Sequence, residues 1–148
     1  RNARCQADRA HLDTDTEFPM TTGVSGIPRN LLRLEGLCVL GAGLVAYHMM
    51  AGQWTLFLIL FFVPDLSMLG YLAGPRIGAA AYNAVHTYAA PALVAGAMSF
   101  GLLTPHWGLC LIWVSHIGFD RALGYGLKFS SAFHDTHLGK LGPAKLSA

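Results

Sequence analysis

Beyond a polar N-terminal stretch, the chain is a succession of apolar runs separated by short turns. From Leu34 to Met50 every residue is apolar or small except Glu35 and His48. Arg29–Gly52 therefore reads as a first membrane span, since about 20 such residues cross the hydrocarbon. Trp54–Ala73 is the second run, interrupted by Pro64-Asp65, and a proline there predicts a kinked helix. After Gly74-Pro75-Arg76 comes a third run, Ile77–Leu103, rich in Ala and Gly. It carries Tyr82, Asn83, His86 and Thr87 in its first half, and Pro91 predicts a kink one turn later. Thr104–Trp107 leads into a fourth run, Gly108–Leu127. The pattern predicts an all-α fold, a four-helix transmembrane bundle over residues 29–127.

The two ends read differently. Residues 1–28 are mostly polar and lack the apolar core of a secretory signal, so a disordered or non-native tail is expected. Because the chain opens on Arg, it reads as a fragment, a processed form or an over-extended frame, with Met20 a candidate start. Residues 128–148 are too polar to span and read as a C-terminal tail.

Charge adds an orientation. Four spans bring both ends to one side, where Arg29, Arg33, Arg76, Arg121, Lys128, Lys140 and Lys145 all fall. The opposite turns, around Gln53 and Thr104–Trp107, carry no Lys or Arg. By the positive-inside rule the N and C termini are cytoplasmic, in a multi-pass protein of the inner (plasma) membrane whose partner is membrane lipid. Composition agrees: 53% of the 148 residues are hydrophobic and 12% charged, against about 25% charged in soluble domains. With a net charge of +2 and no long basic run, nucleic acid is excluded as a partner. Three cysteines, far apart and without a CxxC pair, give neither a disulfide framework nor a thiolate metal site.

Against this apolar background the ionisable residues stand out, because a charge inside a membrane is costly and needs a partner. His116 and Asp120 are four apart, hence on one helix face, with Arg121 beside them. Asp65 and His86 lie on either side of the Arg76 turn at nearly equal distance, and His116 and Asp120 reach that level from the opposite turn. At 1.5 Å per residue the four share a depth to within roughly 6 Å. Two imidazoles and two carboxylates suit a divalent metal (Zn, Mn or Fe) with an open position for water. In that reading Asp65, His86, His116 and Asp120 are ligands, and Arg121 holds an anionic substrate group. Glu35 supplies a second partner or proton acceptor, and His134, Asp135 and His137 could cap the cytoplasmic mouth. Without a metal, the same residues would form a neutralised network stitching the helices together.

Five ordered motifs, RLEG, PDLSMLGYLAGPR, AAYNAVHTY, HIGFDRALGYGLK and FHDTHLG, resemble a bacterial membrane-protein family known as domain of unknown function 4260. The resemblance covers Asn30 to Gly142 and implies a small four-span protein. More distantly, Pro64–Ser67, Arg76 with His86-Thr87, and Ser115–Asp120 are similar to patterns of YdjM-type inner-membrane metal-dependent hydrolases. That likeness implies a hydrolase acting on a lipid or phosphoester, with the same four ligands. Ser67 stands where the hydrolase pattern has a second acid, which weighs against a two-metal site. Two other functions fit the residues: a small transporter or proton relay, in a homodimer, and a structural or accessory membrane subunit.

Overall fold

The computed structural model describes residues 23–50, 52–130 and 134–140. The reading of residues 1–22 as a tail, with Met20 as a candidate start, lies outside the described residues, as does residue range 141–148. The described chain is helical apart from one short hairpin. Its elements are α1 (Ile27–Met49), α2 (Trp54–Phe61), a 3₁₀ helix (Val63–Ala73), α3 (Pro75–His86), α4 (Ala89–Ser99), α5 (Trp107–Leu123), β1 (Asp135–Thr136) and β2 (Gly139–Lys140). Two stretches, Ile27–Met49 and Trp54–Ala73, are long and apolar enough to cross a membrane, and only 17% of either apolar window is buried.

Both interior prolines act more strongly than a kink. Pro64 has no N–H to continue the α ladder, and the Asp65 N–H turns to the Phe62 carbonyl at 3.1 Å, three residues back. The chain continues as 11 residues of 3₁₀ helix, where a few residues are usual. In the third run the break falls one turn before Pro91, because the proline ring clashes with the carbonyl four residues earlier, that of Thr87. Thr87 is extended, with φ −93° and ψ 140°, and the run divides into α3 and α4.

α1 and α5 pack closely, and small residues allow it. A Cβ on Gly118 would stand 2.8 Å from the Gly36 carbonyl oxygen and 2.8 Å from the Leu40 nitrogen. Gly43 lies against Ser115 in the same way. Tyr47, Phe57, Phe61 and Ile112 form the apolar core between α1, α2 and α5. The 3₁₀ helix runs along α3, with the Tyr71 ring over Gly78. α3 meets α5 chiefly through long side chains, and those side chains make the site.

Residues 134–140, expected as part of a polar tail, instead fold back. The Phe129 N–H donates to the Asp135 carbonyl at 2.9 Å, the His137 N–H to Leu127 at 3.0 Å, and the Val24 N–H to His137 at 2.7 Å. Thr136 and Leu138 are fully buried by this docking.

Candidate metal centre

The α5 sequence WVSHIGFDR places Trp113, His116 and Asp120 at spacings of three and four, one face of a helix, and that face looks at α3. Each of these residues, with Arg121, finds a partner near the α3 C-terminus, where the last carbonyls lack helical donors. The Trp113 indole N–H donates to the Val85 carbonyl at 2.8 Å. Arg121 Nη2 donates to the His86 carbonyl at 3.0 Å, and Nη1 to the Tyr125 carbonyl at 2.9 Å. A cation at a helix C-terminus is also favoured by the helix dipole. α5 itself ends on Gly124, whose φ of 94° lets the Gly124 and Tyr125 N–H groups return to Arg121 and Asp120.

His86 is the last residue of α3, and its ring is set by three contacts. Nδ1 lies 3.0 Å from the Tyr82 carbonyl, so it must carry the proton and donate. In the neutral ring the Nε2 lone pair therefore faces His116 Nε2, 3.1 Å away. The Tyr82 ring stacks on His86 with centroids 3.7 Å apart and 10° between planes. His86 Nε2 is also 3.6 Å from Asp120 Oδ2 and 3.7 Å from Asp65 Oδ1, and His116 Nε2 is 3.6 Å from Asp65 Oδ1. One ligand atom from each of Asp65, His86, His116 and Asp120 lies within 4.8 Å of all the others. The structure thus brings together the four residues singled out as ligands, from the 3₁₀ helix, α3 and α5.

This set fits a cation on distance and on charge. A four-coordinate ion with bonds of ~2.0–2.2 Å holds its ligand atoms about 3.3–3.6 Å apart. Four of the six separations among these atoms run from 3.1 to 3.7 Å, and all six lie within 4.8 Å. Two carboxylates beside two neutral imidazoles carry a charge of −2, which a divalent ion cancels. His86, His116 and Asp120 are buried, whereas the Asp65 side chain is 35% exposed and gives the cluster its opening. His116 Nδ1 is buried with no hydrogen-bond partner among the described residues.

The remaining candidates lie elsewhere. Arg121 is buried, with its guanidinium on the main-chain carbonyls of His86 and Tyr125. Glu35 is exposed on α1 and joins Arg121, Tyr88 and His137 around a small cavity of about 150 Å³. His134 is exposed and Asp135 lies in β1, both apart from the centre. His137 Nδ1 accepts the Leu127 N–H at 2.7 Å, and burial, then the Arg121 charge, pushes its pKa below the usual imidazole value.

Two residues matter more than sequence reasoning gave them. Tyr82, fully buried, donates its hydroxyl to Asp120 Oδ2 at 2.8 Å. Its i,i+4 spacing to His86 signalled the shared face, but nothing in the sequence signalled the bond to Asp120. Lys128, read as a basic residue of the inner end, is buried, with its ammonium 5.3 Å from the Tyr82 ring centroid. Burial pushes its amine pKa down, against a smaller opposing pull from Asp120. Asn83 clamps its backbone, accepting the Lys128 N–H at 2.7 Å and donating to its carbonyl at 2.8 Å.

An apolar hollow of about 620 Å³ adjoins the centre, lined by Pro64 and Ser67 beside Asp65, Val85 beside His86, and Ile112 one turn before His116. A larger one of about 710 Å³ lies between α1, α4 and α5, and none of the four ligands itself lines either hollow.

The family described as Domain of unknown function (DUF4260) matches residues 29–141. No curated protein and no solved structure matches the chain.

Proposed function

The chain belongs to the DUF4260 family, and we propose that it is a membrane-embedded, metal-dependent hydrolase. The observation that carries this reading is the convergence of four ligand atoms, all within 4.8 Å of one another, from three separate elements. Asp65, His86, His116 and Asp120 would hold a divalent ion. When bound, the ion would polarise an ester or phosphoester oxygen as a Lewis acid.

The chain's own residues supply the rest. Asp65 lies at the accessible edge, and the apolar hollow beside it would exclude water and take the apolar part of a lipid substrate. Arg121 keeps three of its five N–H groups beyond the two carbonyl bonds, and these could steady an anionic group in the small cavity it shares with His137. Glu35, at the rim of that cavity, would accept a proton.

Membrane embedding is supported by the exposed apolar side chains. Leu58, Ile59, Leu69, Leu72 and Leu93 each expose more than 60% of their surface, which water would oppose and lipid would not. In this reading α1, α2 with the 3₁₀ helix, α3 with α4, and α5 make four crossings. Both ends lie on the cytoplasmic side, with the docked hairpin at the inner face.

The 3.1 Å contact between two imidazole nitrogens also favours a second reading, a proton relay, because without a metal it requires one shared proton. Elemental analysis of the detergent-purified protein separates the two. The hydrolase reading expects about one Zn, Mn or Fe per chain, lost in His116→Ala. Metal-free protein that conducts protons in liposomes would instead support the relay. Protein that neither holds metal nor moves protons would overturn both.

A further inference from the structure

We propose that the small cavity at Arg121 and the larger apolar hollow together form a site for one phospholipid with an ammonium head. The phosphate would lie on Arg121 and His137, the ammonium on Glu35, and one acyl chain in the hollow. This rests on the membrane embedding and the anion-holding role of Arg121 proposed above, and not on the metal.

Charge points first. Arg121 is buried, and among the described residues no carboxylate forms an ion pair with it. Asp120, its neighbour along the chain, faces Tyr82 and His86 instead. Two main-chain carbonyls take two of the five guanidinium N–H groups, which leaves a buried cation short of an anion. Arg121 and His137 line the same cavity of about 150 Å³. His137 Nδ1 accepts the Leu127 N–H, so the neutral ring carries its proton on Nε2 and has a donor to offer. Phosphate suits such donors, and takes guanidinium N–H groups two at a time. Glu35 lines the cavity as well and would repel a bare anion. A head that carries an ammonium close to its phosphate matches both charges, as phosphoethanolamine does.

The acyl chain has a place beside that head. Tyr88 lines both the cavity and the hollow of about 710 Å³, so the two adjoin there. The hollow is walled mostly by apolar side chains, among them Met49 on α1, Ala95 on α4 and Val114 on α5. From Val39 in the cavity to Met49 in the hollow is ten residues of α1, about 15 Å at 1.5 Å per residue. That is half of the ~30 Å hydrocarbon, the reach of one acyl chain. None of the four ligands lines either space, so the lipid lies beside the metal centre and not in it.

The test uses full-length, delipidated protein in detergent. It is titrated with phosphatidylethanolamine, phosphatidylcholine or phosphatidylglycerol carrying the same brominated chains. Quenching of tryptophan fluorescence reads binding, since Trp107 lines the hollow. Wild type should bind the ethanolamine lipid about tenfold more tightly than the other two. Choline has no N–H to donate, and the glycerol head brings no positive charge to Glu35. Glu35→Gln should level the three lipids, and Ala95→Trp, which fills the hollow, should weaken all three. Equal affinities in wild type, or a preference that survives Glu35→Gln, would overturn the inference. So would an Ala95→Trp change that separates a dimer and leaves lipid affinity unchanged, making the hollow a contact between two copies. Metal content of the same samples keeps the two readings apart. Ethanolamine-selective protein without metal strikes only the hydrolase, and metal-loaded protein without selectivity strikes only the lipid site.

Discussion

The crossing of α1 and α5 offers the sharpest test of how the fold holds its polar residues in place. Gly118→Ala adds one methyl group at the closest approach of the two helices. That carbon would stand 2.8 Å from the Gly36 carbonyl oxygen, 2.8 Å from the Leu40 nitrogen and 3.3 Å from the Leu40 Cα. Ordinary contacts to carbon lie near 3.5 Å, so the shortfall at two atoms is about 0.7 Å. All three neighbours are backbone, and no rotamer change relieves the clash. The helices must move apart, and Gly43 against Ser115 and Gly36 against Arg121 loosen with them. Overpacking of this kind costs about 1–3 kcal/mol. His116 and Asp120 flank Gly118 on the same helix, and metal ligands tolerate only about 0.2 Å of error, so metal affinity should fall as well. The assay is unfolding of the detergent-purified protein by SDS, followed by helical circular dichroism, with a zinc titration on the same samples. Gly41→Ala is the control, because a Cβ there meets nothing within 4 Å. It should be neutral or gain up to about 1 kcal/mol from helix propensity. If Gly118→Ala unfolded at the same SDS fraction as wild type, the helices would not be in contact as described.

Further outcomes follow from single residues. His137 accepts the Leu127 N–H through Nδ1, and its pKa is lowered when docked, so the undocked hairpin binds the proton more readily. Docking should be complete above the ordinary imidazole pKa of ~6.5 and weaken as pH falls below it. Amide exchange at Leu127, compared at pH near 8 and near 5.5, reads this directly; equal protection at both would contradict it. Arg121→Met leaves the His86 and Tyr125 carbonyls unpaired and should cost about 2–5 kcal/mol in the same SDS assay. A stable Met variant would show that the guanidinium does not cap α3. In a cysteine-free background, single cysteines at Gln53 and Ser130 should react with impermeant thiol reagents from opposite faces of the membrane, Ser130 from the cytoplasmic one. Labelling from the same face would refute the four crossings.

The site was legible in the sequence because depth is nearly a linear quantity along a helix. Counting residues from the turns put Asp65, His86, His116 and Asp120 at one level, and the ligand atoms do converge. Local interruption was harder to read. A proline signals a fault in the ladder, but whether it bends the helix or ends it depends on what receives the freed carbonyls. At Thr87 the helix ends, since Trp113 and Arg121 stand ready to bind the α3 terminus. The hairpin was missed because its residues are polar and short-paired. Its stability comes from backbone bonds to Leu127, Phe129 and Val24, which leave no periodicity behind. The two backbone carbonyls that hold the Arg121 guanidinium were not legible either, because bonds to main-chain carbonyls leave no pattern along the chain.

The helix faults and the ionisable cluster also depend on one another. In lipid, irregular backbone is tolerated only where it is buried in protein or lines a cavity. Both faults, at Phe62–Pro64 and at Thr87, lie beside a ligand: Asp65 follows one and His86 precedes the other. Ending α3 at His86 aims its Nε2 at His116, while the leftover carbonyls take up Arg121 and Trp113. Were α3 continuous into α4, those carbonyls would be bonded within the helix, and the buried Arg121 would have no such partner there. Pro91 is itself none of the four ligands and lies in α4, yet its ring is what forces the break at Thr87. Pro91→Ala should therefore let helix propagate through Thr87 and weaken metal binding. Helix content by circular dichroism should rise as zinc affinity falls, and a rise in helix with unchanged affinity would separate the break from the centre.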